Sequence, residues 1–148
     1  MLHMVDTDIC NYIMRRQPAS VVRAFQNRID ARHGICMSVV TWFELRSGVE
    51  SKGESEGRKF SLQIRDLLET FNRGVVWWDF ECERRFAALS AAYVREYPKS
   101  NFDNIRNDVM IASHALALGA VVVTNNERDF ARIRRVGGPV WENWVSDV

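Results

Sequence analysis

Short apolar runs alternate along this chain with longer segments in which apolar residues recur at helical spacing. Four of the apolar runs are bounded by polar residues or glycine, which is typical of buried strands in a parallel sheet. The predicted strands cover Leu2 to Val5, Ile35 to Val39, Val75 to Trp78 and Ala120 to Thr124. The chain is therefore expected to carry at least four strands.

Between these runs, apolar residues recur every three or four positions and predict helices. The predicted helices cover approximately residues 18–32, 41–50, 60–71, 86–97 and 108–118. The polar segment 51–57 contains two glycines and predicts the turn of a helical hairpin over about 41–73. The polar segment 99–107 predicts a loop, which leaves Asp108 at the start of its helix, and residues 125–129 predict a turn.

The order of these elements is strand, helix, strand, two helices, strand, two helices and strand. This order predicts a three-layer α/β/α sandwich with a mostly parallel central sheet of four or five strands. The chain has 148 residues and shows no linker, internal repeat or low-complexity segment, so one domain over residues 1–148 is expected. In such sheets the functional crevice lies beyond the C-terminal ends of the strands.

Four carboxylates, far apart in sequence, lie at or near boundaries between apolar runs and polar segments: Asp6, Glu44, Asp108 and Asp129. Each has an ordinary explanation when taken alone, since acids commonly cap helices, begin helices or occupy turns. Their shared position at one end of the predicted sheet is not explained in that way. Several acids can share a site only if their pKa values rise or a cation lies between them. The pattern favours a divalent metal and phosphodiester chemistry.

The charge balance limits how this chain could bind a polyanion. Lys and Arg total 20 against 19 acids, for a net charge of +1, so bulk electrostatics does not indicate nucleic-acid binding. Any such surface has to be local. The cluster of Arg132, Arg134 and Arg135 is the candidate for RNA backbone contact, and a solvated helix face is an equal alternative.

The cysteines and the hydropathy of the chain indicate where in the cell the protein is expected. Cys10, Cys36 and Cys82 are odd in number and widely spaced, without a metal-binding motif, so free thiols in a reducing compartment are expected. The longest run of mostly small apolar residues, Ala115 to Val123, is about half a membrane span. The expectation is a soluble, cytoplasmic protein with no membrane association.

Four segments together carry a resemblance to a known family. They read MVDT at 4–7, SVVTWFEL at 38–45, NDVMIASHAL at 107–116 and VTNNERDF at 123–130. In this order and spacing they resemble the sequence blocks of PIN-domain ribonucleases, specifically VapC-type toxins of type II toxin–antitoxin pairs. The closing residues 140–144 also resemble the C-terminal strand of that family, so the match spans nearly the whole chain.

The resemblance implies an endoribonuclease that depends on Mg²⁺ or Mn²⁺ and hydrolyses RNA phosphodiester bonds with a metal-activated water. It also implies a homodimer, a cognate VapB-type antitoxin that holds the toxin inactive, and transfer RNA as the family-level substrate. Carried over to this chain, Asp6 and Asp108 are the principal metal ligands. Glu44 is a ligand directly or through water, Asp129 is a fourth acid, and all four acids are catalytic.

Three polar residues near the acids are expected to support the site. The hydroxyls of Thr7 and Thr124 could orient carboxylates or waters, as the neighbours of a metal site commonly do. Many relatives carry Asp where Asn126 stands, and others pair an Asn there with an acid three residues later, as in Asn126 and Asp129. Which of these two residues fills the fourth position is left open, as is the number of metal ions.

Two other functions compete with the nuclease interpretation. One is a catalytically inert PIN-like module that binds RNA or protein, but each acid position is filled by Asp, Glu or Asn, which favours an active enzyme. The other is a haloacid-dehalogenase-like phosphatase, suggested by the spacing of Asp6 and Asp8. Those enzymes need a later lysine, and this chain has none after Lys99.

Overall fold

The structure, a computed structural model, describes residues 1–146 and is built around a five-stranded sheet. The strands are β1 (Leu2–Val5), β2 (Gly34–Ser38), β3 (Val75–Val76), β4 (Val121–Val123) and β5 (Trp141–Glu142). Their order across the sheet is β3-β2-β1-β4-β5, and every neighbouring pair is parallel. The predicted α/β/α fold with a parallel sheet is confirmed.

Seven helices accompany these strands in the described part of the chain. They are α1 (Thr7–Arg15), α2 (Ala19–Asp30), α3 (Val39–Glu50), α4 (Glu54–Thr70), α5 (Phe80–Glu96), α6 (Phe102–Leu118) and α7 (Glu127–Arg135). The segment between α3 and α4 is shorter than expected, because α4 begins at Glu54 within the polar stretch. Strand β3 is also shorter than expected, because Trp77 already lies outside it and is 66% exposed.

The helix α1 was absent from the sequence prediction. Its apolar residues Ile9, Cys10 and Ile13 follow helical spacing, and Ile9 and Cys10 are buried. Asp6 caps this helix through its side chain, and Arg16 ends it in the left-handed conformation. Asp6 directly follows the last residue of β1 and is the N-cap residue of α1. The polar residues that follow β1 therefore begin a helix.

Two further predictions about local structure were wrong. Residues 99–107 are not all loop, because Asn101 caps α6 by accepting a hydrogen bond from the Asp103 N–H at 3.0 Å. Asp108 therefore lies in the second turn of α6 and not at its start. Residues 125–129 are likewise not a free turn, because α7 begins at Glu127 and places Asp129 in its first turn.

The sheet separates two hydrophobic cores. Alternation along β1 sends Met4 into one core and Val5 into the other. The core on the Met4 side is formed with α5, α6 and α7, and the core on the Val5 side is formed with α1, α2 and α4. Helix α3 contributes Val40 to the first and Leu45 to the second, so it links the two layers just after the C-terminal end of β2. Glu44 lies on this linking helix.

Among residues 1–146, no helix combines the length and the apolar composition needed to cross a membrane.

Candidate metal centre

Asp6 is a buried carboxylate at the C-terminal end of β1. Its backbone N–H donates to the Val123 carbonyl at 3.0 Å, which fixes it beside β4, and its Oδ1 accepts from the Ile9 N–H at 3.2 Å. The residue is only 5% exposed. The pKa of Asp6 is raised to about 7, chiefly by burial. The charges of Asp8 and Asp108 act in the same direction, and the hydrogen bonds from the Thr124 side chain and the Ile9 N–H oppose the shift.

Asp108 has the same kind of environment. Burial raises its pKa to about 7, and the nearby charges of Asp129 and Glu44 act in the same direction. The side chain of Asn126 opposes this shift by donating to the carboxylate. Because Asp6 also responds to the charge of Asp108, all four acids that the sequence analysis selected belong to one electrostatic group centred on Asp108.

Asn126 is the polar group that joins two of these acids. Its Nδ2 donates to Asp108 Oδ2 at 3.0 Å and to Asp129 Oδ2 at 2.9 Å. An amide nitrogen has two hydrogens, so both are used to separate two like charges. The Asn126 N–H donates to the Thr124 hydroxyl at 3.0 Å, which ties this residue to the end of β4. Asn126 thus positions Asp108 against Asp129.

Glu44 is held from the opposite side. The hydroxyl of Thr7, the first residue of α1, donates to Glu44 Oε1 at 2.9 Å. The start of α3 is itself fixed by Ser38, whose hydroxyl oxygen accepts from the Val40 N–H at 3.1 Å and lies 2.9 Å from His114 Nδ1. His114 is fully buried, and burial lowers its pKa. These contacts hold the Glu44 carboxylate and the start of the helix that carries it.

Among the residues that the structure describes, the acid group has no positively charged partner. Within residues 1–146, none of Asp6, Glu44, Asp108 and Asp129 forms an ion pair with Lys, Arg or His. Buried carboxylates without a counter-charge are costly, and a bound cation relieves that cost. The donor set, all oxygen, is the one that Mg²⁺ and Mn²⁺ prefer.

The acids are not packed as a closed cage. In the described residues, no three Asp, Glu, His or Cys side chains lie close enough together to enclose a metal ion by themselves. Mg²⁺ does not require such a cage, because it commonly takes one or two carboxylates directly and keeps several of its waters. Asp6 and Asp108, the two acids with raised pKa values, fit the role of direct ligands.

Asp8 belongs to the same electrostatic group and was not selected as a site residue from the sequence. Its charge raises the pKa of both Asp6 and Asp108, although its own side chain is exposed. Its position two residues after Asp6 was the signal in the sequence, and that spacing also suggested the phosphatase alternative. The missing knowledge was that α1 begins at Thr7 and keeps Asp8 close to the acids.

The arginine cluster on α7 lies apart from this centre. Asn126 immediately precedes α7, whereas Arg132, Arg134 and Arg135 occupy the last turn of that helix. The Arg132 guanidinium lies 5.2 Å from the centre of the Tyr97 ring, and Arg134 donates to the Gly138 carbonyl at 2.7 Å. Two of the three arginines therefore have intramolecular partners, and their contact with RNA stays a prediction.

Comparison with known proteins places this geometry in a family. Residues 3–136 match the PIN domain. The chain is 33% identical over 143 residues to the tRNA(fMet)-specific endonuclease VapC of Shigella flexneri, with 95% of this chain and 96% of the relative covered. It is 28% identical over 144 residues to ribonuclease VapC2 of Rickettsia felis, with coverage of 97% and 98%.

Solved structures show the same fold. The crystal structure of VapBC2 from Rickettsia felis bound to a promoter DNA fragment matches with a TM-score of 0.79 at 24% identity. DNA-bound VapBC from Salmonella typhimurium matches with a TM-score of 0.79 at 26% identity. Each match covers 97% of this chain and 99% of the other.

Proposed function

Because this chain belongs to the PIN-domain family, we propose that it is the toxin of a type II toxin–antitoxin pair, a metal-dependent endoribonuclease. The observation that carries this proposal is the group of four acids around Asp108, which forms no ion pair with a basic side chain of residues 1–146. Relatives over nearly the whole chain are named as ribonucleases, which agrees with an active enzyme and not with an inert binding module.

The proposed metal is Mg²⁺ or Mn²⁺, since PIN-domain ribonucleases generally depend on divalent metal. Asp6 and Asp108 would hold it directly, and Glu44 directly or through water, with Asp129 as the fourth acid. When bound, the cation offsets charge on the scissile phosphate and lowers the pKa of a water. The acids with raised pKa values have to release their protons to become ligands, so metal affinity rises with pH.

The neighbouring polar residues keep the carboxylate oxygens in place. Thr7 holds Glu44, Thr124 interacts with Asp6, and Asn126 holds both Asp108 and Asp129. Groups held before the reaction need not reorganise during it, which is the usual source of electrostatic catalysis. We assign Asn126 a positioning role and Asp129 the fourth acidic position.

The proposed partners follow from the relatives. Solved structures similar to this chain are VapBC toxin–antitoxin complexes, so a cognate VapB-type antitoxin is proposed. The Shigella flexneri relative is named as specific for tRNA(fMet), so transfer RNA is the proposed substrate class. A cytoplasmic location agrees with both partners.

A homodimer is also proposed. Phe43, Trp77 and Phe80 are large apolar residues that remain 56%, 66% and 88% exposed. Phe43 and the neighbouring Trp78 also line a groove of about 660 Å³. Exposed apolar surface of this kind is common where a second protein chain packs, and a second copy of this chain is the proposed occupant.

The purified chain, freed of any antitoxin, is expected to cut RNA only when a divalent cation is present. The measurement is incubation with total RNA in Mg²⁺, in Mn²⁺ and in excess chelator, followed by mapping of the cut ends. Cleavage that persists in excess chelator would contradict the metal-dependent mechanism. RNA binding without cleavage under every metal condition would favour the inert module instead.

Asn126→Ala is expected to weaken metal affinity by roughly 10- to 100-fold, the usual effect of removing a group that orients a ligand. The reason is that Asp108 and Asp129 lose the amide that separates them. The measurement is the Mn²⁺ concentration that gives half-maximal cleavage.

Asn125→Ala is the matched control for this experiment. Asn125 is the adjacent residue of the same type, and its contacts are with Tyr12 and Asn143 and not with the acids. An equal effect of the two substitutions would contradict the positioning role of Asn126.

A further inference from the structure

A groove of about 470 Å³ lies between α1, α3 and α4 and reaches the acid centre. Three of its lining residues are the cations Arg15, Lys52 and Lys59, and we call it the basic groove. We propose that the basic groove holds the RNA strand next to the scissile bond, with its phosphates bound by these three cations. This inference rests on the proposed nuclease function and names the residues that bind its substrate.

The basic groove is continuous with the acids. Thr7 and Glu44 both line it, and they are joined by the hydrogen bond of 2.9 Å between the Thr7 hydroxyl and Glu44 Oε1. Glu44 is itself one of the four acids of the centre. A polymer that lies in the groove therefore reaches the acid centre without crossing another element.

The three cations are available to bind a ligand. Arg15, Lys52 and Lys59 are exposed, and none of them forms an ion pair in the part of the chain that the structure describes. Lys52 Nζ lies 5.0 Å from the centre of the Phe60 ring, which supports its position without neutralising it.

Other basic residues of α3 and α4 have acidic partners. Those ion pairs are Arg46 with Glu50, Arg58 with Glu54 and Arg65 with Asp66. The free cations of this region therefore coincide with the wall of the groove, and the paired cations lie outside its lining.

The chemistry of the groove suits a phosphodiester strand. Besides the cations it presents the side-chain amides of Asn11 and Gln63, which can bond to phosphate and sugar oxygens. Glu56 is the one other acid besides Glu44 in its lining, so positive charge predominates away from the acid centre. A nearly neutral chain needs such a local patch to bind RNA.

The positions of the acids and of the groove cations suit different phosphates of one RNA strand. The scissile phosphate has to lie at the acids, where a divalent cation offsets its charge. The adjoining phosphates have no such cation and need Lys or Arg. The α7 arginines fit this need less well, because all three lie in the last turn of their helix, whereas the acids lie near its first turn.

The test compares two double variants with the same change in net charge. Lys52→Gln with Lys59→Gln removes two groove cations, and Arg58→Gln with Arg65→Gln removes two cations from α4 outside it. Both are made in the Asp108→Asn protein so that RNA stays uncut, and binding of a single-stranded oligoribonucleotide is followed by fluorescence anisotropy against salt concentration. Thermal unfolding of each variant checks that the fold is retained.

The groove variant is expected to bind about tenfold more weakly and to reduce the slope of log affinity against log salt by about 1.4. The control pair is expected to change affinity less than about twofold, because Arg58 and Arg65 lie outside the lining of the groove and are paired with acids. Equal losses in the two variants would indicate a general charge effect and would overturn the proposal. Unchanged RNA binding with loss of antitoxin binding would also overturn it, since the groove would then serve a protein.

Cleavage by the protein with Asp108 intact separates this inference from the proposed function. With a dinucleotide the groove variant should match wild type, and with a long RNA its KM should rise about tenfold at similar kcat. Wild-type protein that cuts no RNA would refute the nuclease function. Wild-type cleavage with an equally active groove variant on long RNA would refute the groove alone.

Discussion

Asp6→Asn and Asp108→Asn are each expected to lower RNA cleavage by roughly 10³-fold or more, which corresponds to about 4 kcal/mol of lost transition-state stabilisation. Each substitution replaces a charged oxygen ligand with a neutral amide of nearly the same shape. Either substitution removes one of the two negative charges that are proposed to hold the metal directly. The measurement is single-turnover cleavage of a transfer RNA at saturating Mg²⁺ or Mn²⁺.

The control for these variants is Asp30→Asn. Asp30 lies at the end of α2 and accepts a hydrogen bond from Gln26 at 2.8 Å on an exposed surface. It should cleave at the wild-type rate. Wild-type rates in both Asp6→Asn and Asp108→Asn would reject the proposed centre, whereas a loss in only one would identify the ligand that matters more.

The metal-free protein is expected to lose several kcal/mol of stability between about pH 4 and pH 7. Asp6 and Asp108 have pKa values of about 7 in the fold, above the ordinary value of 3.8, so the fold holds their protons more tightly than the unfolded chain does. Below pH 3.8 the stabilising protons are present in full. As the pH rises, the unfolded chain gives them up first, and folding becomes less favourable until the folded groups have also ionised.

The size of this loss follows from the two shifts. One group moving from 3.8 to about 7 corresponds to about 4 kcal/mol. A small part of the Asp6 shift comes from the charge of Asp108, so the two groups together cost less than twice that amount. Glu142 acts in a different window, because hydrogen bonds from His3 and Trp144, although opposed by burial, lower its pKa to about 2. The stability that ionised Glu142 contributes is lost only below about pH 4.5.

Urea unfolding in excess chelator at pH 4.5 and pH 7.5 measures this effect. The Asp108→Asn protein should show a weaker dependence of its unfolding free energy on pH. At pH 7.5 it should be more stable than the wild-type protein, although its cleavage activity is expected to be lost. Added Mn²⁺ should increase the unfolding free energy of the wild-type protein at pH 7.5, by about 2.7 kcal/mol at a Mn²⁺ concentration 100 times its Kd. A metal-free wild-type protein that becomes more stable from pH 4.5 to pH 7.5 would contradict the raised pKa values.

Most of the fold could be predicted from the local pattern of apolar and polar residues. Alternation between short apolar runs and helical periodicity predicted the parallel sheet, because strands buried on both faces are apolar throughout and their crossover helices are amphipathic. It failed where polar residues begin helices. The side chains of Asp6 and Asn101 cap α1 and α6, and polar segments at those points resembled loops.

The sequence by itself selected Asp6, Glu44, Asp108 and Asp129, because all four lie at or near boundaries between apolar runs and polar segments. The family resemblance then assigned their roles. Only the tertiary structure decided how these groups act on one another. The amide of Asn126 between two acids and the burial that raises two pKa values to about 7 depend on packing between distant segments. The basic groove also depends on tertiary packing, since Arg15 and Lys59 line the same groove only when α1 and α4 pack together. Contacts between residues far apart in sequence follow from how the layers pack, and no local pattern of residues encodes that.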